Sequence, residues 1–337
     1  MRLLAVCPVT HPGGAEVVLL RLLDRRDWDV TFTVPGDGPL RDAALKRGWR
    51  VEHLPLGGLG RRQGARALAA MPKARRLAAR HDVTYLNGTV PARVLPALRG
   101  HPTVVHVHDI VERIPPFWRQ ADLVLAASHA VANRLHGLDA QVVGCPVELD
   151  APQRPAPWPA GDGPVAGFVG RLEPRKGVDV LVAAAPRLSA AGVRVVLVGD
   201  DPYAADGTYA SRVAHAPGVE HVPWVDDAAG LMGALDVLVL PSRREPGGTV
   251  LNEAMAAGTP VVASRVDGLP EVVDDGLTGA LIPPDDPDAL ADAVLRVLDQ
   301  RDRMGSAARE AARRWDADAY AERVGALVEA VRRRDRP

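Results

Sequence analysis

Residues 245–258 read EPGGTVLNEAMAAG and lie between two short apolar runs, Val237–Pro241 and Val261–Ser264. The apolar runs have the length of buried strands, and the segment between them has the composition of a helix that ends at Gly258. A strand, a helix and a second strand in this order are typical of a parallel sheet, whose strands are joined by crossover helices. This stretch therefore predicts an α/β fold.

The same alternation of apolar runs and helical patterns recurs in both halves of the chain. In the second half, the predicted strands are Val165–Gly170, Val193–Gly199, Val237–Pro241, Val261–Ser264 and Ala280–Ile282, and the predicted helices are Val178–Ala190, Thr249–Ala257 and Asp288–Gln300. In the first half, the predicted strands are Leu3–Val6, Val30–Val34, Val83–Leu86, Thr103–Val107 and Leu123–Ala126, and the predicted helices are Glu16–Leu23 and Ala65–Ala79. Each half therefore predicts its own parallel sheet covered by helices.

A segment without helix or strand patterns separates the two halves. Residues 151–164 read APQRPAPWPAGDGP, and this proline and glycine content is typical of a linker. The 337 residues are thus expected to form two domains, 1–150 and 165–315, joined by that linker. Ligands of parallel sheets bind beyond the carboxyl ends of the strands, so two such domains facing each other would enclose a cleft. Asp318–Arg334 has the apolar stripe of a closing helix.

The composition argues against several classes of function. Lys plus Arg number 41 and Asp plus Glu number 42, so no net charge attracts nucleic acid, and an aromatic content of 4% is low for base-stacking platforms. Cys7 and Cys145 are far apart in the sequence, which argues against a disulfide framework or a zinc site. We expect a cytoplasmic protein, because no signal-peptide pattern or membrane-spanning apolar run is found.

The segment quoted first also carries the strongest chemical signal. Glu245 and Glu253 stand eight positions apart, with Gly247 and Gly248 between them where the helix should begin. Glycines expose backbone amides at a helix N-terminus, which suits phosphate oxygens, while carboxylates accept hydrogen bonds from sugar hydroxyls. A nucleotide-diphosphate sugar would satisfy both groups. The alternative, that Glu253 lies on a solvated helix face and Glu245 caps a turn, is less favoured because the two occur together.

A second signal follows the first strand of the second domain, where residues 170–177 read GRLEPRKG. Arg171 and Lys176 are two cations next to the start of a helix, and this combination suits a diphosphate. A solvated basic loop is the alternative explanation. The position at the carboxyl end of a strand favours a binding role.

Two motifs of the first domain also lie at predicted strand ends. Gly13-Gly14-Ala15-Glu16 opens a helix, where a backbone amide could approach a phosphate or where the glycines could simply form a tight turn. His106 and His108 fall on the same face of their strand, whereas Asp109 has the opposite parity. We therefore expect a hydrogen-bonding histidine rather than a metal site.

The stretch Leu59–Arg80 holds seven Lys or Arg and no acidic residue. A basic amphipathic helix can lie on an anionic lipid surface. Large apolar residues are few here, and Pro72 is expected to break the helix. Contact with a membrane surface is therefore the less favoured interpretation.

These motifs resemble those of family 4 of the retaining glycosyltransferases, which have the GT-B fold of two Rossmann-like domains facing across a cleft. The resemblance covers nearly the whole chain, and its most specific part is Glu-x7-Glu followed by EAMAAGTPVVAS, supported in order by GGAE, HVHD, GFVGRLEPRKGVDVLVAA, LVGDDP and LVLPSRREPGG. It implies a metal-independent, retaining enzyme without a cofactor. The donor would be a nucleotide-diphosphate hexose or N-acetylhexosamine, with UDP favoured over GDP, and the acceptor a hydroxyl group of a small molecule, glycan or lipid-linked sugar.

The resemblance also implies roles for individual residues. The expected catalytic set is His108, Glu245, Arg171 and Lys176, and the expected donor-binding set is Gly14, Gly247, Gly248, Thr249, Val250 and Glu253. Glu245 would contact the donor sugar and Glu253 the ribose, while the cations neutralise the diphosphate. Replacing Lys176 by alanine is expected to reduce turnover far more than stability. Residues 316–337 would form a helix that packs back on the first domain.

Two other functions stay open at this point. A nucleotide-sugar 2-epimerase shares the fold but needs a different acid–base set around the sugar. A catalytically silent partner protein would bind nucleotide without turnover, although the four charged residues Glu245, Glu253, Arg171 and Lys176 argue against it. The fold alone decides neither question.

Overall fold

Both halves of the chain form parallel sheets, as the alternating pattern predicts. The computed structural model describes residues 1–57, 64–203, 207–225 and 228–333. The chain divides into two units, which are Met1–Pro146 together with the last helix, and Val147–Asp316. The α/β prediction is confirmed.

The first unit is built on a seven-stranded sheet with the order β3-β2-β1-β4-β5-β6-β7. Its strands are β1 (Arg2–Val6), β2 (Asp29–Val34), β3 (Arg50–His53), β4 (Val83–Asn87), β5 (Thr103–Val107), β6 (Leu123–Ala126) and β7 (Ala140–Val142). Its helices are α1 (Gly14–Leu23), α2 (Pro39–Lys46), α3 (Gly64–Ala78) and α4 (His129–Ala132), with 3-10 segments at Pro91–Leu98 and Pro116–Gln120. The strand order reverses between β1 and β4, so a ligand crevice is expected there.

The second unit repeats this plan with six strands in the order β10-β9-β8-β11-β12-β13. Its strands are β8 (Val165–Val169), β9 (Arg194–Val198), β10 (Val219–Val222), β11 (Val237–Leu240), β12 (Val261–Ser264) and β13 (Gly279–Ile282). Its helices are α5 (Val178–Ala190), α6 (Thr208–Ala214), α7 (Thr249–Ala257), α8 (Pro287–Asp299) and α9 (Arg301–Ala312), with 3-10 segments at Pro174–Lys176, Ala229–Ala234, Leu269–Glu271 and Arg313–Trp315. The corresponding switch point lies between β8 and β11.

Three strands were not expected from the sequence, and all three lie at sheet edges. β3 and β7 are the two edges of the first sheet, and β10 is an edge of the second. An edge strand is covered on fewer sides than a central strand, so it need not be a continuous apolar run. β3, with the sequence RVEH, is half-buried to exposed, whereas every residue of β5 is buried.

Residues 151–164 form no helix or strand, but they belong to the second unit rather than standing between the units. Arg154 N donates to the carbonyl oxygen of Gly230 at 2.8 Å, and the Trp158 side chain is buried in the core of that unit. These contacts hold the segment against the second unit, and the chain crosses between Pro146 and Val147 rather than at residue 150.

Pro72 lies inside α3 and does not break it, contrary to expectation. The proline removes one helical hydrogen bond, at a cost of about 3 kcal/mol. Ala70, Ala74 and Leu77 on the same helix are buried in the first unit, and this packing keeps the helix continuous. Arg66 and neighbouring arginines face solvent, while residues 59–63 of the basic stretch lie outside the described residues.

The last helix, α10 (Ala317–Arg333), packs on the first unit. Tyr320, Val324 and Val328 are buried in the same cluster as Leu19 and Leu23 of α1. Residue 334, where the sequence pattern ends the helix, lies outside the described residues. No helix in the described part of the chain is long and apolar enough to cross a membrane.

Candidate functional site

Two loops meet at the switch point of the second sheet. Residues 170–177 follow β8 and residues 241–248 follow β11, and these strands are neighbours in the sheet. Gly177 has a φ of 63°, and a Cβ at this position would lie 2.0 Å from the carbonyl oxygen of Pro241. Only glycine permits this close contact. It brings the basic loop against the loop that carries the first motif carboxylate.

The contact pairs two of the residues that the sequence selects. Lys176 Nζ lies 2.5 Å from Glu245 Oε2, and the two side chains are 15% and 9% exposed. Ser242 Oγ donates to the same carboxylate oxygen at 3.2 Å. The backbone of Glu245 is fixed as well, since its N–H donates to Asp267 Oδ2 at 3.0 Å. A nearly buried ion pair with a fixed geometry thus stands at the carboxyl edge of the sheet.

The charge around Glu245 keeps its carboxyl group ionised. Burial alone would raise the pKa of Glu245, but the charges of Lys176 and Arg175 and the hydrogen bonds of Lys176 and Ser242 outweigh it, so the pKa lies below its ordinary value. Glu245 can therefore accept hydrogen bonds near neutral pH.

Two further cations flank the pair. Arg171 Nη2 lies 3.2 Å and Arg175 Nη2 lies 2.7 Å from the same oxygen of Glu173. Three cations, counted with Lys176, therefore face two carboxylates in this loop region. Cationic side chains beside a strand end suit an anionic ligand such as a diphosphate.

The glycines of the second loop form the start of α7. Gly248 is the N-cap residue with a φ of 62°, and a Cβ there would lie 2.8 Å from the Leu269 side chain. No side chain among the described residues caps this end of the helix. Thr249 and Val250 are half-buried in its first turn, and Glu253 is half-buried one turn further on. The N-terminus of a nine-residue helix thus adjoins the cationic loop, an arrangement that favours anions.

Arg243 holds the basic loop in place, and sequence reasoning missed it. Its guanidinium donates two hydrogen bonds of 2.9 Å to Asp179 and further bonds of 2.6 Å to Asp285 and to the carbonyl oxygen of Pro174. Its backbone N–H donates to the carbonyl oxygen of Arg175 at 2.9 Å. Arg243 therefore anchors the chain on both sides of Lys176.

The first unit presents a second cluster at its own switch point. Gly14 is exposed at the start of α1, directly after β1. Glu16 reaches back over this end and accepts from the N–H of Gly13 at 3.0 Å. The Glu16 side chain is buried, and its carboxyl group occupies the helix N-terminus beside the position that a phosphate near Gly14 would take.

His108 follows β5 and contacts Asn87, the last residue of β4. His108 Nε2 lies 3.1 Å from Asn87 Oδ1, and Asn87 Nδ2 donates to Glu16 Oε1 at 3.2 Å. The rings of His106 and His108 lie 3.8 Å apart between their centroids, on one side of the strand as its alternation predicts. Burial lowers the pKa of His108 to about 3, so its imidazole is neutral at physiological pH.

A metal site at the histidine pair, which the sequence does not favour, gains no third ligand from Asp109. This residue is exposed and accepts from Thr89 Oγ1 at 3.4 Å, away from the histidine pair. Within the described residues, no three His, Cys, Asp or Glu side chains form a group that could hold a metal ion.

The structure joins Lys176 directly to Glu245 and links Arg171 to the same region through Glu173. The other residues selected from the sequence lie on the turn and helix that follow, or in the first unit at Gly14 and His108. The residues that sequence reasoning missed are Asn87, Arg175, Ser242, Arg243 and Asp267. All five are polar and lie at or just beyond the carboxyl end of a parallel strand, and this position is the signal that could have identified them.

Comparison with known proteins adds independent information. Residues 12–151 match the family model described as Glycosyltransferase Family 4, and residues 163–300 match the one described as Glycosyl transferases group 1. A phosphatidyl-myo-inositol mannosyltransferase of Mycobacterium leprae is 31% identical, with 98% of this chain and 97% of the relative covered. A D-inositol 3-phosphate glycosyltransferase of Corynebacterium glutamicum is 38% identical over 48% of this chain. That alignment spans only 42% of the relative's own length.

Solved structures share the whole architecture. The Anabaena protein Alr3699/HepE, solved in complex with UDP and glucose, superposes with a TM-score of 0.84 at 23% identity, covering 98% of this chain and 100% of that one. Sucrose-phosphate synthase of Thermosynechococcus elongatus superposes with a TM-score of 0.81 at 24% identity, covering 98% and 99%. These likenesses show the fold, which is GT-B.

Proposed function

The chain belongs to glycosyltransferase family 4 and is a transferase with the GT-B fold, and we propose that it moves a sugar from a nucleotide-diphosphate donor to a hydroxyl acceptor with retention of configuration and without a metal ion. The observation that carries this proposal is the ion pair between Lys176 and Glu245 just before the N-terminus of α7. It combines fixed cations, a helix N-terminus and an ionised carboxylate, which match the parts of such a donor.

The donor diphosphate lies against Arg171, Lys176 and the first amides of α7 in this proposal. When the bond between the anomeric carbon and the diphosphate breaks, negative charge grows on the leaving phosphate oxygen. Cations and amides that already face this position stabilise the charge without reorganisation. They take the part that a divalent metal plays in other transferases, and this supports the metal-independent reaction.

Glu245 orients the donor sugar. Its ionised carboxylate accepts hydrogen bonds from sugar hydroxyls, and Glu253 accepts from the ribose one helical turn further on. The acceptor hydroxyl attacks the anomeric carbon on the face from which the diphosphate leaves, and its proton passes to the leaving phosphate. This sequence of steps retains the configuration and needs no carboxylate nucleophile.

UDP is the favoured nucleotide and GDP the alternative. HepE has been solved with UDP-glucose as well as with UDP and glucose. The names of several relatives specify an inositol phosphate or a phosphatidylinositol acceptor, so a polyol hydroxyl is a reasonable first acceptor to test. The transferred sugar is a hexose or an N-acetylhexosamine.

Calorimetric titration with UDP and GDP in the presence of EDTA tests the donor site. We expect one nucleoside diphosphate to bind, and Arg171→Gln to weaken that binding by about tenfold, because one phosphate contact is lost. Arg187→Gln is the matched control, since Arg187 is half-exposed on α5 of the same unit and pairs with Asp292. Absence of binding by both nucleotides, or an equal loss in the two variants, would contradict the proposal.

A further inference from the structure

Asn87 stands between a carboxylate and a histidine in the first unit, and its amide can face only one way. Asn87 Nδ2 donates to Glu16 Oε1 at 3.2 Å and to the carbonyl oxygen of Ala15 at 3.3 Å. The side chain is 1% exposed, so water offers no alternative partners. If the amide were turned over, its oxygen would face the Ala15 carbonyl and the Glu16 carboxylate, and the Cys7 thiol beside it is only a weak donor. The amide oxygen therefore faces His108.

This orientation dictates where His108 carries its proton. Asn87 Oδ1 lies 3.1 Å from His108 Nε2, and a carbonyl oxygen can only accept. The hydrogen bond therefore requires a proton on Nε2. A neutral imidazole has a single N–H, so Nδ1 is left with its lone pair.

We propose that Asn87 is a positioning residue that locks His108 in the Nε2–H tautomer, so that Nδ1 accepts a hydrogen bond from a substrate hydroxyl during transfer. The inference rests on the proposed function and defines the role of His108 within it. His108 acts as a neutral acceptor that orients a hydroxyl, and it does not deliver a proton to the leaving group.

Two neighbours support the lock. Glu16 is itself held by the N–H of Gly13 at 3.0 Å, so the carboxylate that orients Asn87 has a fixed position. The His106 ring lies 3.8 Å from the His108 ring and is held in turn by Tyr85, whose hydroxyl lies 2.7 Å from His106 Nδ1. The neighbouring ring therefore restrains the orientation of His108, and the hydrogen bond to Asn87 fixes its tautomer. Hydrogen-bond partners outside the site commonly orient functional histidines in this way. Burial lowers the pKa of His108 to about 3, which agrees with a neutral ring.

Nitrogen-15 NMR of the full chain with labelled histidine tests the tautomer directly. The ring signals of His108 are assigned by their loss in His108→Phe. We expect the wild-type protein to show a protonated Nε2 and an unprotonated Nδ1, unchanged between about pH 5 and pH 8. A protonated Nδ1 in the wild-type protein would overturn the proposal, whatever any variant does.

Asn87→Leu tests the function of the lock, because leucine has a similar volume and no amide. We expect the His108 signals to become a mixture of both tautomers, and kcat to fall by about tenfold with a much smaller change in the donor KM. A fall in kcat with the tautomer intact would mean that Asn87 is only structural. If the wild-type protein shows the Nε2–H signal but transfers no sugar, the proposed function is contradicted while the tautomer assignment stands.

Discussion

The ion pair between Lys176 and Glu245 makes a quantitative prediction for Lys176→Met. Methionine keeps most of the length of the lysine side chain and removes its charge. Glu245 keeps its hydrogen bond from Ser242, but its 9% exposed carboxylate loses the opposite charge that faces it at 2.5 Å. Removing one partner of a buried ion pair lowers the free energy of unfolding by more than the intact pair contributes to it, because the remaining charge stays buried.

The cost follows from the proton that Glu245 then takes up. Buried glutamates without a partner have a pKa of about 8 to 9, against about 4.3 in an unfolded chain. At pH 7 Glu245 is therefore protonated in the folded variant but ionised in its unfolded chain, whose pKa lies about 2.7 pH units lower. Each of these units lowers the free energy of unfolding by about 1.4 kcal/mol. The free energy of unfolding of the second unit should therefore fall by at most roughly 3 to 4 kcal/mol, because the charge of Arg175 and the hydrogen bond of Ser242 still stabilise the ionised carboxylate.

The dependence on pH has a definite sign. In the wild-type protein the pKa of Glu245 is lowered, so its contribution to stability is present above about pH 4.3 and is lost only as the pH falls through the folded pKa. In the variant the pKa of Glu245 is raised, so stability falls as the pH rises. The difference in the free energy of unfolding between the wild-type protein and the variant should therefore shrink to roughly 1 kcal/mol at about pH 5.

Hydrogen exchange during a urea titration measures the free energy of unfolding of each unit separately. Peptides covering β11 report on the second unit, and peptides covering β4 report on the first. Lys73→Met is the matched control, because Lys73 pairs with Glu52 at 2.9 Å while both side chains are about two-fifths exposed. It should cost less than about 1 kcal/mol. An equally small loss of stability for Lys176→Met, or a loss that is the same at pH 7 and pH 5, would show that Lys176 does not stabilise a buried charge on Glu245.

Three further perturbations have definite expected outcomes. Gly177→Ala should destabilise the second unit by more than about 3 kcal/mol in the same urea titration, because its Cβ would overlap the Pro241 carbonyl. Gly192→Ala is the control: Gly192 has a φ of 78° but open space around it, so this variant should lose only about 1 kcal/mol. Arg243→Lys cannot form the fork that grips Asp179 and Pro174 together, so calorimetry should show nucleotide binding weakened by about tenfold, and unchanged affinity would argue against the anchoring role. Glu245→Gln removes the carboxylate charge but keeps the shape, so initial rates should show kcat reduced by about a hundredfold; a wild-type rate would exclude Glu245 from the reaction.

The central strands and the site helix could be predicted from the sequence because local patterns determine them. The bounds of β5, β6, β12, α5 and α7 agree with the predicted ones, since these elements are continuous apolar runs or helices flanked by glycine. Helix α3 could not be predicted as one element, because its continuity through Pro72 depends on packing against the rest of the first unit.

The candidate site was only partly predictable. Lys176 and Glu245 could each be selected from motif chemistry, but their pairing depends on the contact of Gly177 with Pro241, between residues far apart in the sequence. The expectation that losing Lys176 would affect turnover far more than stability therefore needs revision, because the buried pair gives Lys176 a structural role as well. The Asn87 lock on His108 likewise arises from three elements that meet only in the folded unit.

A retaining, metal-independent transfer is tested by the configuration of the first product. Purified protein is incubated in EDTA with α-linked UDP- and GDP-hexoses, with water or a polyol as the acceptor, and proton NMR follows the anomeric signals from the first turnover. We expect release of one nucleoside diphosphate and initial formation of the α-anomer. Initial formation of the β-anomer, or turnover that appears only when a divalent metal is restored, would contradict such a transfer.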